Sequence, residues 1–156
     1  MSGTYTVRSV TPEHPDIARV WARIRDPYFF TQILAKRGLP TLEPEHLTGL
    51  LVNAVFGEGE PSMVTVGNFL IGFSIGQAWW MHPTAVVFNE EFVIRYCDDR
   101  GGDFRQALRS LKAWAKDQGF THITIGDLAA YTPGPYRQHM DAVGIDRHYT
   151  TYYTTL

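Results

Sequence analysis

The sequence predicts an α/β domain built on a mixed sheet, from three observations. Met63 to Val66 and Phe69 to Ile75 are apolar, β-rich runs separated by Gly67-Asn68, a two-residue loop that makes them an antiparallel hairpin. Thr84 to Arg95 carries Val86, Val87, Phe88, Phe92, Val93 and Ile94 with little alternation, as expected of a central strand covered on both faces. An amphipathic run from Phe104 to Gln118 then leads into a short β-branched run, Thr121 to Ile125, and strand, helix, strand makes a locally parallel βαβ unit.

In chain order, Thr4 to Val10 reads as a first strand ended by Thr11-Pro12, with a helix from Asp16 to about Ile24 after it. Asp26-Pro27 interrupts, and Tyr28 to Arg37 and Glu43 to Phe56 read as two further helices separated by Gly38-Leu39-Pro40. Gly57 to Pro61 is the loop into the hairpin. In the amphipathic helix, Phe104, Leu108, Leu111 and Ala115 recur at core spacing, while Arg105, Arg109, Lys112 and Lys116 follow one residue on as a solvated face. Gly119 stops that helix. Beyond Thr132 to Pro135, a short helix from Tyr136 to about Val143 precedes Gly144, and Arg147 to Leu156 is a Thr/Tyr-rich strand. No repeat or linker divides the chain, so residues 1–156 are expected to form one domain.

Hydrophobic residues make up 44% of the 156, which favours a folded chain over a disordered one. No apolar run is long enough to cross a bilayer, and Met1 to Val10 lacks a signal-like core, so a cytoplasmic protein without a membrane partner is expected. Cys97 is the single cysteine and closes no internal disulfide. A net charge of −2 gives no overall field toward nucleic acid. Six histidines show no pair at metal-ligand spacing, so no metal site is assigned.

The hairpin Phe69-Leu70-Ile71-Gly72-Phe73, the strand Glu90-Glu91-Phe92-Val93-Ile94, the turn Asp99-Arg100-Gly101-Gly102 and the helix from Ala107 into Gln118-Gly119-Phe120 together resemble the GCN5-related N-acetyltransferase (GNAT) superfamily. The resemblance covers roughly Met63 to Leu156 and continues through His122 to Asp127, Tyr136 to Val143, Gly144-Ile145 and Tyr149 to Leu156. It implies a mostly antiparallel central sheet flanked by helices, and an acyl-CoA-dependent N-acyltransferase that uses acetyl-CoA or another acyl-CoA to acylate an amine of a small molecule or protein.

The resemblance also implies where the chemistry falls. Arg100, Gly101, Gly102, Asp103, Phe104 and Arg105 occupy the family's coenzyme A signature, where backbone N–H groups at a helix N-terminus meet the pyrophosphate. Asp103 and Arg105 stand where the family has small residues. Asp103 can instead cap the helix, and Arg100 and Arg105 can replace backbone donors with side-chain ones. Backbone near Ile94 and Arg95, at a bulge in the strand, is expected to meet the pantetheine arm. Glu90, ten residues before Arg100, is the implied general base, on a face shared with Phe88, Phe92 and Ile94 where desolvation would raise its pKa. Glu91 is second choice. The family's proton-donating Tyr position is Met140 here, and Tyr136, one turn earlier, takes that assignment.

Three other patterns bear on function. Gly72-Phe73-Ser74-Ile75-Gly76 matches a nucleophile elbow, but no helix start follows Gly76. Trp79-Trp80, Trp21 and Tyr28-Phe29-Phe30 read as packing or as the lining of an acceptor cleft. The variant signature resembles phage and prophage members of the family. This leaves two alternatives: a catalytically inactive GNAT-fold phage structural or interaction module, and a nucleobase-modifying protein of the Mom-like branch, which the net charge disfavours. A Tyr/Thr-rich terminal strand offers an edge for pairing in a homo-oligomer or a virion, so a host-cytoplasmic or virion location follows if the chain is phage-encoded.

Overall fold

The two-residue turn at Gly67-Asn68 sets the register from which the sheet grows, Gly67 supplying the positive φ (59°) that a tight hairpin needs at its first turn position. The computed structural model describes residues 4–26, 28–29, 31–32, 42–76, 79–98, 102–126, 133–145 and 147, without the side chains of 133–136. Strands β1 (Val7–Ser9), β2 (Ser62–Val66), β3 (Phe69–Gly76), β4 (Val87–Arg95) and β5 (His122–Thr124) form one sheet in that order. The first three pairings are antiparallel and β4 with β5 is parallel. Among the described residues this is the mixed, mostly antiparallel sheet expected, with one parallel βαβ unit. The first strand is shorter than Thr4 to Val10, and β4 starts at Val87 because Ala85 N–H turns back to the His82 carbonyl.

Helices cover both faces. Helix α1 (Ile17–Ile24) and helix α2 (Pro44–Val55), which begins with Pro44 where a missing N–H is harmless, bury Val20, Ile24, Leu51 and Val55 against Met63, Leu70, Phe92 and Ile94. Helix α3 (Phe104–Asp117) covers the other face, where Ala107 and Leu111 meet Val64, Val66, Ile71, Phe73 and Phe88. Phe73 stacks on Phe88 at 4.3 Å, with Trp114 and Phe120 edge-on to both, so four aromatics lock α3 to the sheet. Gly119, with φ at 93°, ends α3 as its place in the sequence predicts. The expected helix from Tyr28 to Arg37 and the terminal strand from Arg147 fall largely outside the described residues.

Helix α4 (Pro133–Ala142) docks on α3 and changes the reading of two of its faces. Leu108 packs against Met140 and Val143, not against the sheet. The basic stripe is only partly solvated: Arg105 Nε donates to His139 Nδ1 at 3.0 Å, and Lys112 Nζ donates to the Val143 carbonyl at 3.1 Å, closing the C-terminal end of α4. Arg109, Lys112 and Lys116 are nonetheless exposed. Among the described residues no helix is long and apolar enough to cross a membrane.

Candidate functional site

Strands β4 and β5 part early. β5 pairs only with Val87, Phe88 and Asn89, so the edge of β4 from Glu90 to Arg95 has no pairing to β5. The parting coincides with a bulge: Gly72 faces Phe92 and Phe73 faces Glu90, leaving Glu91 as the extra residue. The irregularity therefore lies ahead of Ile94 and Arg95, where it was expected. Across the fork, Glu90 Oε2 accepts the Gly126 N–H at 3.0 Å, so the carboxylate links the two strands where their backbones separate.

The bulge also overturns the face assigned to Glu90. Strand alternation puts Glu90 on the side of Phe88, which packs toward α3, whereas Phe92 and Ile94 lie beyond the extra residue and pack with α1 and α2. Glu91 joins the α1 and α2 side in a polar network: Ser74 Oγ–H donates to Glu91 Oε1 at 2.7 Å, Asn89 Nδ2 donates to the same oxygen at 3.3 Å, and Thr124 Oγ–H donates to Asn89 Oδ1 at 2.6 Å. Ser74 thus sits within a strand and bonds to a carboxylate, an arrangement foreign to a nucleophile elbow.

Ile94 is buried, while Arg95 is exposed with its guanidinium 4.9 Å from the centre of the Phe69 ring. Phe69 in turn lies 5.2 Å from Phe104, so a file of aromatic and cationic groups joins the end of β4 to the start of α3. Arg100 and Gly101 lie outside the described residues. Asp103 is the N-cap of α3: its carboxylate accepts the N–H groups of Arg105 and Gln106 at 3.0 and 3.3 Å, and its own N–H donates to the Tyr5 hydroxyl at 3.2 Å. The aspartate thus takes donors that a phosphate would otherwise meet. Arg105 leans on His139, and Phe104 is half-buried with its ring edge-on to the same imidazole.

Tyr136 lies on α4 with its side chain outside the described residues. Met140, one turn on, is buried among Leu108 and Val143 and serves the core. Cys97 is also buried, in the core under α1 and α2. Of the aromatics weighed for a cleft, Trp21 packs on Phe56, while Trp79 and Trp80 stand exposed. Sequence reasoning missed Tyr5 and His139, which come from distant stretches of chain and carried no local signal.

No family model matches the chain, and no curated protein matches it. Solved structures do. A "Putative acetyl transferase from Pyrococcus furiosus" superposes with a TM-score of 0.58 at 14% identity over 97% of this chain and 99% of that one. An aminoglycoside acetyltransferase from an uncultured soil metagenomic sample, in complex with sisomicin, superposes with a TM-score of 0.51 at 10% identity over 97% and 96%. At such identities the likeness is one of fold: this chain has the fold of known acetyltransferases.

Proposed function

We propose that the protein is an acyl-CoA-dependent N-acyltransferase, with acetyl-CoA as the favoured donor and an amine as acceptor. The observation that carries this is the fork: β4 and β5 separate after Asn89, a bulge follows, and a carboxylate stands where the strands part. A strand edge that β5 leaves after Asn89 suits the amide groups of a pantetheine arm, because backbone N–H and C=O groups not used by β5 can take a ligand's amides instead.

The residues at the two ends fit the donor unequally. The β4 edge suits the arm. The N-terminus of α3 suits a phosphate less than a glycine-rich turn would, since Asp103 accepts two of its N–H groups and brings a negative charge. Phosphate binding therefore falls on side chains, with Arg100 and Arg105 as the donors and the backbone of Gly101, Gly102, Asp103 and Phe104 as the surface they flank. Ile94 and Arg95 flank the arm. Such a site binds acyl-CoA more weakly, and with more salt dependence, than a glycine nest.

The donor supplies an activated thioester carbonyl, to which the amine forms a C–N bond as the C–S bond breaks and the thiol leaves. Glu90 takes the proton that the attacking amine must lose. Tyr136 is assigned the proton returned to the departing sulfur. Calorimetric titration with acetyl-CoA and with coenzyme A tests the proposal. Saturable binding of both supports it, and absence of heat at millimolar ligand favours a GNAT-fold module without transferase activity, the reading that the Asp103 cap supports.

A further inference from the structure

Arg105 is the second residue of α3, and its guanidinium is held by a group that comes from α4. Nε donates to His139 Nδ1 at 3.0 Å. An arginine nitrogen only donates, so Nδ1 carries the lone pair and the imidazole is neutral, with its proton on Nε2. The same ring meets Phe104 edge-on, with centroids 5.5 Å apart at 87°, so two consecutive residues at the start of α3 engage one imidazole. Arg105 and His139 are each half-buried. The pair is not what docks the two helices: Leu108, Met140 and Val143 pack α4 on α3, and Lys112 ties its C-terminal end.

We infer that His139 is a positioning residue for Arg105, holding its guanidinium ready for a phosphate of the acyl donor, an assignment that rests on the acyl-CoA reading above. Side chains in a helix lean toward its N-terminus, so an arginine in the first turn carries its head group toward the start of α3, where that reading puts the phosphates. With Nε engaged on His139, the two Nη groups and their four N–H donors make no hydrogen bond among the described residues. They form the edge of the guanidinium that pairs with two oxygens of one phosphate. A long arginine side chain otherwise loses its rotamer freedom on binding, and a partner that orders it beforehand lowers that cost. A neutral imidazole does so without setting a second cation beside the first. Asp103 has taken the Arg105 and Gln106 N–H groups by capping, which leaves more of the anion contact to the Arg105 side chain.

The test measures acetyl-CoA affinity at low salt, by calorimetry, for wild type and two variants. His139→Leu keeps an apolar contact for Phe104 and loses the acceptor, while His139→Asn offers an oxygen in place of Nδ1. Each is also made in an Arg105→Ala background. The inference expects His139→Leu to bind roughly three- to ten-fold more weakly and His139→Asn to recover most of that loss. Neither should change affinity further once Arg105 is alanine. A merely structural histidine gives a lower melting temperature with wild-type affinity below it, and overturns the inference. Equal losses with and without Arg105, or an asparagine that binds no better than leucine, overturn it too, since the histidine then acts through something other than the acceptor it gives Arg105. Wild type that binds while Arg105→Ala binds equally removes this inference and leaves the acyl-CoA reading. Wild type that binds no acetyl-CoA removes the transferase reading, and this assignment with it.

Discussion

Replacing Glu90 by Gln keeps the side chain's length and branching and removes only its charge and its ability to take a proton. The glutamine carbonyl can still accept the Gly126 N–H that Glu90 Oε2 accepts at 3.0 Å, so the bridge across the fork survives in neutral form. The loss is the difference between a charged and a neutral acceptor, about 0.5–1.5 kcal/mol, and the bond's solvent exposure puts it at the low end. For a chain of this size that lowers the melting temperature by roughly 2–4 °C per kcal/mol at most, leaving the variant folded at assay temperature. Under the proposed reaction catalysis should suffer far more, because removal of a positioned general base lowers kcat roughly 10²–10⁴-fold. At 1.36 kcal/mol per decade, this is about 2.7–5.4 kcal/mol of barrier. Thiol release from acetyl-CoA, followed with an amine that the wild type turns over, measures it, with the KM for acetyl-CoA expected to stay near wild type. Glu91→Gln is the control, because its carboxylate faces Ser74 and Asn89 on the other side of the sheet. A loss of kcat confined to Glu91→Gln would place the reacting amine on the α1 and α2 side and refute the assignment to Glu90.

Leu111 is fully buried between α3 and the sheet, so Leu111→Asp should destabilise by several kcal/mol through lost burial and an unpaired charge, and a melting curve like wild type would show that α3 does not face the core. Gly72 lies against the Phe92 ring with no room for a Cβ, so Gly72→Ala should lower stability by roughly 1–3 kcal/mol in denaturant titration, while Gly49→Ala, with nothing within 4 Å, should not destabilise. Arg100→Ala combined with Arg105→Ala should weaken acetyl-CoA binding, and the difference from wild type should shrink as salt rises; an affinity unaffected by the pair would move phosphate binding elsewhere.

The elements legible in the sequence were those fixed by local signals. A Gly-Asn pair between two apolar runs specified the hairpin, and the 3.6-residue period of Phe104, Leu108, Leu111 and Ala115 specified α3, with Gly119 as its end. The bulge was not legible at its position, because Glu90-Glu91-Phe92-Val93 reads as unbroken strand and only pairing with Gly72 reveals which residue is extra. That one residue decided the site: it put Phe88 and Glu90 on one face and Phe92 and Ile94 on the other. Leu108 and Arg105 were misjudged for a related reason, since nothing in α3 says that α4 will lie against them, while Arg109, Lys112 and Lys116 are exposed as the stripe predicts. The Asp103 cap was readable, its carboxylate standing two and three residues before the N–H groups it accepts. The Tyr5 hydroxyl that accepts the Asp103 N–H was not, because no pattern in the sequence marks contact between residues so far apart.

The claim that the β4–β5 fork and the start of α3 together bind an acyl-CoA is tested most directly by titrating acetyl-CoA into isotopically labelled protein and following its backbone amides by NMR. The expected result is a saturable set of shifts concentrated at Glu90 to Arg95, Gly102 to Gln106 and Gly126, with the β1–β2 edge unchanged. Shifts confined to other surfaces, or none at millimolar acetyl-CoA, would contradict it.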